Sequence, residues 1–500
     1  MVSFLHLLLA LPLLVWILLQ LYKTIKNPST RPPGPKGLPI IGNLHQLDSS
    51  NLHFQLWKLS KIYGSLFSLQ IGFKQAIVIS TPKLAKEVLK DHDHDVCSRP
   101  PSTGPQKLSY NGLEMIFSPY NECWREIRKI CVVHFFSSKR ISSFSHVRKF
   151  EVKQMIKKIS GHVNSSKVTN LSEIIMSASS ATICRMAFGR KYEEEGAERS
   201  KFHGLLNESQ AMFLSFFVSD YIPFMGWIDK LTGLFSRLEN TYKALDVFFQ
   251  QVIEEHLNPN RQKETQDEDD IVDVLLQLKN QGRLSIDLTN DHIKAVIMDI
   301  LVAATDTSAA TSVWVMTGLM KNPRVMKKAQ EEVRSLYGSK KEFIDEDDIQ
   351  KLEYLKAVIK ETLRFYAPAP LVPRETNKSF IIDGYEIQPK TLVYVNVWAI
   401  QRDPQAWKDP EEFYPERFLN NDIDFKGQHF ELIPFGAGRR ICPGIPLGIA
   451  TVELITANLL NLFDWEMPAG LNREDIDTDG LPGLARHKKN HLCLVAKNYM

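Results

Sequence analysis

One short segment constrains this chain more than any other: Pro434-Phe435-Gly436-Ala437-Gly438-Arg439-Arg440-Ile441-Cys442-Pro443-Gly444. It runs directly into an apolar helical stretch over 447–462, which places Cys442 just before a helix amino terminus. There the macrodipole and the free N–H groups favour a thiolate over a thiol. Glycine at 436, 438 and 444 permits the tight turn that aims the sulfur and lets the backbone pass close to a flat cofactor. Arg440 is free to pair with an acidic group on such a cofactor. An axial thiolate pushes electron density onto a haem iron and favours O–O cleavage, which no neutral ligand does as well. The bland alternative, a buried free cysteine in a glycine-rich turn, would suit a lone cysteine better than one in this setting.

The remaining chain must build a body around that loop. Apolar residues make up 44% and charged residues 24% of 500 positions, the balance of a folded protein with ample core. Length alone suggests about three domains, but the chemistry-bearing motifs run from 124 to 442 and can cooperate only within one. Lys plus Arg total 61 against 58 for Asp plus Glu, a net charge of +3 that gives no field for nucleic acid. Cys97, Cys123, Cys131, Cys184, Cys442 and Cys493 include no C-x-x-C pair and no zinc-ligand spacing, so a reducing compartment with mostly buried, inert thiols is expected.

Residues 4–22 are apolar apart from His6, Pro12 and Gln20, and about 20 helical residues span a bilayer core. Lys23, Lys26, Arg31 and Lys36 follow, so the positive-inside rule places the C-terminal bulk in the cytosol. A cleaved signal would carry a basic leading region and a shorter apolar stretch. Residues 31–39, Arg-Pro-Pro-Gly-Pro-Lys-Gly-Leu-Pro, cannot be helical and make a stiff connector. The expected organisation is an anchor over 1–22, a basic and Pro/Gly-rich hinge over 23–43, and a single catalytic domain over 44–500. Helical periodicity dominates at 143–160, 240–257, 289–320, 323–336 and 349–365. Short β-rich pieces, 66–71 with 75–80 and 379–387 with 392–397, suit hairpins. The fold class is therefore α+β, mainly α, with a minor sheet.

Three further motifs carry chemistry. Trp124 and Arg128 stand at i and i+4 on one helical face, and both are donors suited to a carboxylate. Glu361 and Arg364 stand at i and i+3, blandly a surface ion pair. Ala303-Ala304-Thr305-Asp306-Thr307-Ser308 interrupts an apolar helix with residues that compete for backbone hydrogen bonds, suggesting a bend with a polar groove. Two other segments carry little. Asp91-His92-Asp93-His94-Asp95 reads as a solvated polar turn, and 221–227 as either a membrane-contacting stretch or an ordinary loop.

F-G-x-G-R-R-x-C-P-G resembles the cysteine signature of the cytochrome P450 family, particularly its plant microsomal members, and the other motifs follow in the family's order and at compatible spacing. The resemblance implies a helical body around haem b with Cys442 as iron ligand. It implies Trp124, Arg128, Arg374 and Arg440 as propionate contacts, with Phe435, Gly438 and Gly444 also touching the cofactor. Glu361, Arg364 and Arg417 become a structural lock behind the haem, and Asp306 with Thr307 the acid–alcohol pair that relays protons. Ala304 departs from the family's usual glycine and puts the coupling of oxygen use to product in doubt. The implied activity is a monooxygenase that inserts one atom of O2 into a hydrophobic small molecule, such as a plant specialised metabolite, at the endoplasmic reticulum membrane. No dinucleotide fingerprint is evident, so electrons should come from NADPH through NADPH-cytochrome P450 reductase, with cytochrome b5 as a further donor. Arg125, Lys129 and Arg439 are candidates for the docking face. Two rivals stand beside this: a haem-thiolate isomerase or dehydratase, which needs no proton relay, and a membrane haem carrier or sensor. Substrate choice falls by family analogy to 101–120, 205–216, 300–306, 367–372 and 481–485, which name no compound.

Overall fold

A helix that is apolar on every side belongs in a protein interior, and Asn290–Lys321 is buried along nearly its whole length in the computed structural model of the chain. Thr289 and His292 close its amino terminus with a reciprocal capping box. It packs most extensively against Leu171–Phe188, then against Ile445–Leu462 and Glu353–Tyr366. The structure describes residues 31–190, 197–261, 269–336, 342–481 and 483–499. The expected anchor over 1–22 lies outside them.

The central helix joins two apolar cores. Residues 293–302 pack with Ile127, Ile130, Phe188 and Phe249, whereas 309–320 pack with Val358, Leu363, Leu454 and Leu459. The polar stretch 303–308 falls between them. Ile445–Leu462 divides at the same level, with Leu447 in the first core and Val452 onward in the second. An ideal Cβ on Gly448 would lie 3.7 Å from Ser308 Oγ, which sets the helix that follows Cys442 directly against the polar stretch. Among the described residues, the two single helices long and apolar enough to cross a membrane are these same interior helices.

The sheets are small. Leu66–Ile71 and Lys74–Ile79 form the expected hairpin. The second expected hairpin does not form: Asp383 and Gly384 both take positive φ, which folds Phe380–Ile382 back on Tyr385–Ile387. Leu392–Asn396 is thereby released to pair in parallel with Lys74–Ile79 and antiparallel with Leu371–Glu375. Residues 31–43 do not hang free. Ser68 N–H donates to the Pro33 carbonyl at 2.7 Å and Asn43 N–H to Gln70 O at 2.6 Å, fastening the proline-rich segment along the first strand.

Candidate active site

The cysteine loop is a short 3-10 turn, Gly438–Arg440, followed by Cys442 and the helix from Ile445. Cys442 N–H donates to the Phe435 carbonyl at 3.0 Å, closing the loop. Gly436 and Gly438 take positive φ, and a Cβ on Gly438 would collide with the Leu89 carbonyl and the Asp93 carboxylate. Glycine at 438 thus serves close packing onto the segment 87–96 as well as the turn. Burial pushes the Cys442 thiol up, while the Gly444 N–H and the Arg128 guanidinium pull it down. The other cysteines are free as well, and burial raises the thiols of Cys97, Cys131 and Cys184.

The cationic side chains are placed unequally. Arg440 is buried and donates to the carbonyls of Cys97, Met115 and Ser118 at 2.8, 3.2 and 2.7 Å. Its guanidinium lies 4.0 Å over the Trp124 ring. Trp124 gives its indole N–H to Met115 O at 2.9 Å, and Arg128 reaches the Ile441 carbonyl at 2.6 Å, one residue from the sulfur. Arg374 is 2% exposed, and its one side-chain hydrogen bond among the described residues goes to the neighbouring Pro373 carbonyl. Arg99, which the sequence reading missed, donates to Ile116 O and Pro373 O.

Burial depresses all three guanidiniums, Arg99 to about 10, Arg440 to about 9 and Arg374 well below the ordinary value, and repulsion from Arg99 adds to the shifts of Arg374 and Arg440. Among the described residues no carboxylate forms an ion pair with any of them. Glu114 and Asp93 oppose this repulsion only from beyond ion-pair distance; buried like charges so weakly compensated are costly, and such a cluster beside a cysteine loop fits the two propionates of haem b. When bound, haem b supplies the redox chemistry of dioxygen activation.

Behind the loop the lock is closed. Glu361 and Arg364 are fully buried and paired twice, at 2.7 and 2.8 Å, and Arg417 Nε reaches Glu361 at 3.2 Å. Arg364 also holds the carbonyls of Gln401, Pro410 and Glu412. On the other side, the Thr307 hydroxyl donates to Ala303 O at 2.7 Å, and Ala303, Ala304 and Thr307 are only partly buried within an otherwise buried helix. Back-bonding of this kind repeats at Thr311 and Ser312, whereas the buried Thr305 hydroxyl has no partner among the described residues. Asp306 is buried, with Oδ1 2.7 Å from His487 Nε2.

The substrate segments converge. Phe117 stacks on Phe213 at 4.9 Å and 14°, and Phe117, Ala304 and Leu484 pack on one core. Arg486 N–H donates to Pro368 O at 2.7 Å, joining 367–372 to the C-terminal turn. Arg125, Lys129 and Arg439 are exposed, each paired with an acid: Glu122, Glu126 and Asp93. Asp93 is more than a solvated turn residue, because it accepts the Arg439 N–H at 3.1 Å and caps the cysteine loop.

Sequence comparison agrees with this geometry. The cytochrome P450 family model matches residues 32–495. A 6,7,8-trihydroxycoumarin synthase of Pastinaca sativa is 50% identical, covering 99% of each chain. A 5-OH-xanthotoxin synthase of Ammi majus is 48% identical, over 99% of this chain and 98% of its own. Cytochrome P450 71B10 of Arabidopsis thaliana is 48% identical over 97% of each. A zebra fish cytochrome P450 solved with abiraterone has the same fold, with a TM-score of 0.74 at 23% identity over 89% of this chain and 99% of its own.

The chain belongs to the cytochrome P450 family. It is a haem b monooxygenase of the plant type, inserting one atom of O2 into a hydrophobic small molecule with electrons from a redox partner.

Proposed function

We propose that the enzyme hydroxylates a planar aromatic plant metabolite of the coumarin kind, with Cys442 as the iron ligand. Arg99, Arg374 and Arg440 bind the propionates. Trp124 and Arg128 brace the Met115 and Ile441 carbonyls beside them, and Phe435, Gly438 and Gly444 shape the loop against the ring. The observation that carries the site assignment is the cluster of buried guanidiniums beside the cysteine loop, none of which is ion-paired to a carboxylate among the described residues. The substrate class rests on the names of relatives about half identical over nearly the whole chain, and the stacked pair Phe117–Phe213 offers flat apolar surface in the segments that would receive it.

Within this reading each residue has a limited task. The protein excludes water with the apolar side chains of the first core. Thr307 Oγ1 holds a water, and Asp306 passes a proton toward it, so that dioxygen is reduced with its protons delivered in place. This relay disfavours the isomerase or dehydratase reading and the carrier reading, neither of which needs it. Residues 1–22 act as a single-pass anchor at the endoplasmic reticulum, 23–43 as the hinge and 44–500 as the one catalytic domain. The exposed side chains of Leu38, Ile40, Phe224 and Trp227 support membrane contact, because the segments 38–42, 71–73 and 221–224 are hydrogen-bonded into one face. Electrons come from NADPH through NADPH-cytochrome P450 reductase, docked near Arg125, Lys129 and Arg439, with cytochrome b5 as a second donor.

The test is turnover of the reductase-reconstituted enzyme on a panel of coumarins beside terpenes and aliphatic acids. A hydroxylated coumarin formed in step with NADPH use is expected. Exclusive turnover of a non-aromatic compound would overturn the substrate class.

A further inference from the structure

Asp306 is buried on the central helix, and its Oδ2 has no hydrogen-bond partner among the described residues. Its Oδ1 lies 2.7 Å from His487 Nε2. This is a charge-pair approach and not an aligned hydrogen bond, since His487 Nε2 also lacks a well-directed acceptor. No other ion pair to Asp306 occurs among the described residues. The neighbouring cations are engaged elsewhere: Lys488 on Asp477 at 2.6 Å, and Arg486 on the Thr478 carbonyl at 2.6 Å and over the Trp314 ring.

The backbone that carries the imidazole is held on both sides. Arg486 donates its N–H to Pro368 O and accepts from the Trp314 indole at 2.7 Å, while His487 itself pairs with Leu481 in a two-stranded hairpin. The His487 side chain is 26% exposed against 5% for Asp306. The ring therefore stands between a buried carboxylate and solvent, with one nitrogen at the acid and the other turned away from it. Imidazole is the side chain best suited to accept a proton on one nitrogen and release one from the other near neutral pH.

We propose that His487 is the solvent-side positioning residue of the proton route, loading Asp306 from water and orienting its carboxylate for delivery toward Thr307. The inference rests on the assignment of Asp306 and Thr307 given above. Per turnover the overall reaction is RH + O2 + 2 H+ + 2 e− → ROH + H2O, the electrons coming from the reductase. In each transfer His487 takes a proton from water on its outer nitrogen and, once a small rotation of the ring lines Nε2–H up with Asp306 Oδ1, gives that proton to the carboxylate. The O–H bond formed on Asp306 balances the N–H bond broken. A half-turn of the partly exposed ring, or tautomer exchange with water, restores the starting state.

The experiment uses the full-length holoenzyme with its reductase and compares wild type, His487→Ala, His487→Lys and Thr307→Ala. Product, peroxide and NADPH are measured together, and the ferrous carbon monoxide spectrum serves as a check on the haem pocket. In His487→Ala, product per NADPH should fall by on the order of tenfold, less than the 10²–10⁴ range for loss of a proton-transfer group because water replaces it in part. His487→Lys, which keeps a protonated donor, should recover much of the yield. A second readout is independent of turnover: the thermal midpoint losses of Asp306→Asn and His487→Gln should be non-additive in the double variant. Additive losses, or full coupling in His487→Ala while Thr307→Ala is uncoupled, overturn the role of His487 and leave the Asp306–Thr307 assignment standing. Full coupling in Thr307→Ala overturns that assignment itself.

Discussion

Replacing Glu361 with glutamine removes one charge and almost no volume, and it should be among the most damaging substitutions in the chain. The Glu361 carboxylate accepts from Arg364 Nε and a terminal nitrogen, from Tyr414 N–H at 2.8 Å and from Arg417 Nε. Glu361 and Arg364 are 0% exposed and the Arg417 side chain 9%. An amide keeps one acceptor but turns an NH2 toward a guanidinium, and leaves buried Arg364 and Arg417 without a counter-charge. Breaking a buried pair in this way costs about 3–5 kcal/mol. At an m-value of about 3 kcal/mol/M in urea, the upper end of the usual range because m grows with chain size, the midpoint should fall by roughly 1–1.7 M. Urea unfolding of the holoenzyme followed by circular dichroism reads this directly. Because the proposed assignment sets the lock behind the haem and away from substrate, product per NADPH of the folded fraction should stay at the wild-type value. A midpoint loss below about 0.5 M, or a selective loss of coupling in folded protein, would refute the reasoning.

Gly438→Ala adds a methyl at positive φ against the Leu89 carbonyl and Asp93. It should lower the haem content of purified protein, measured as the pyridine haemochrome, whereas Gly470→Ala, with open space at its Cβ, should not. Glu453 is 9% exposed, and burial with the nearby Glu346 raises its carboxyl to about 7. A raised folded-state value means its favourable contribution is complete below about pH 4.5 and lost as pH climbs through 7, about 3 kcal/mol in all. Glu453→Gln should therefore gain stability over wild type between pH 5 and 8, and an unchanged difference at the two pH values would contradict the shift. Thr307→Ala should keep haem and fold, since alanine suits a helix, but divert NADPH to peroxide. If Ala304 narrows the oxygen groove, Ala304→Gly should raise product per NADPH above wild type.

What the sequence made legible was local. The cysteine loop, the Glu361–Arg364 pair and the Asp306–Thr307 string each lie within a few residues on one element, so spacing brings their side chains together, although spacing alone read Glu361–Arg364 as a surface pair and only the resemblance placed it as a buried lock. The central helix was readable because its apolar run is long, and the Thr307 hydroxyl bonds back within it at the polar stretch where a bend was expected. Pairing over long separations was not readable. The parallel match of Lys74–Ile79 with Leu392–Asn396 joins segments some three hundred positions apart, and only the tight turn at Asp383-Gly384 hints that 380–387 closes on itself. Arg99 stands in an unremarkable Ser-Arg-Pro and His487 in a basic tail, so neither carries a local signal. Asp93 looked solvated because its partner, Arg439, arrives from the far end of the chain.

The most direct measurement is the ferrous carbon monoxide spectrum of wild type beside Cys442→Ala, with haem content determined on the same samples. The account predicts a red-shifted, thiolate-type Soret band in wild type and its disappearance in the variant. Retention of that band without Cys442, or wild-type protein that takes up no haem, would contradict it.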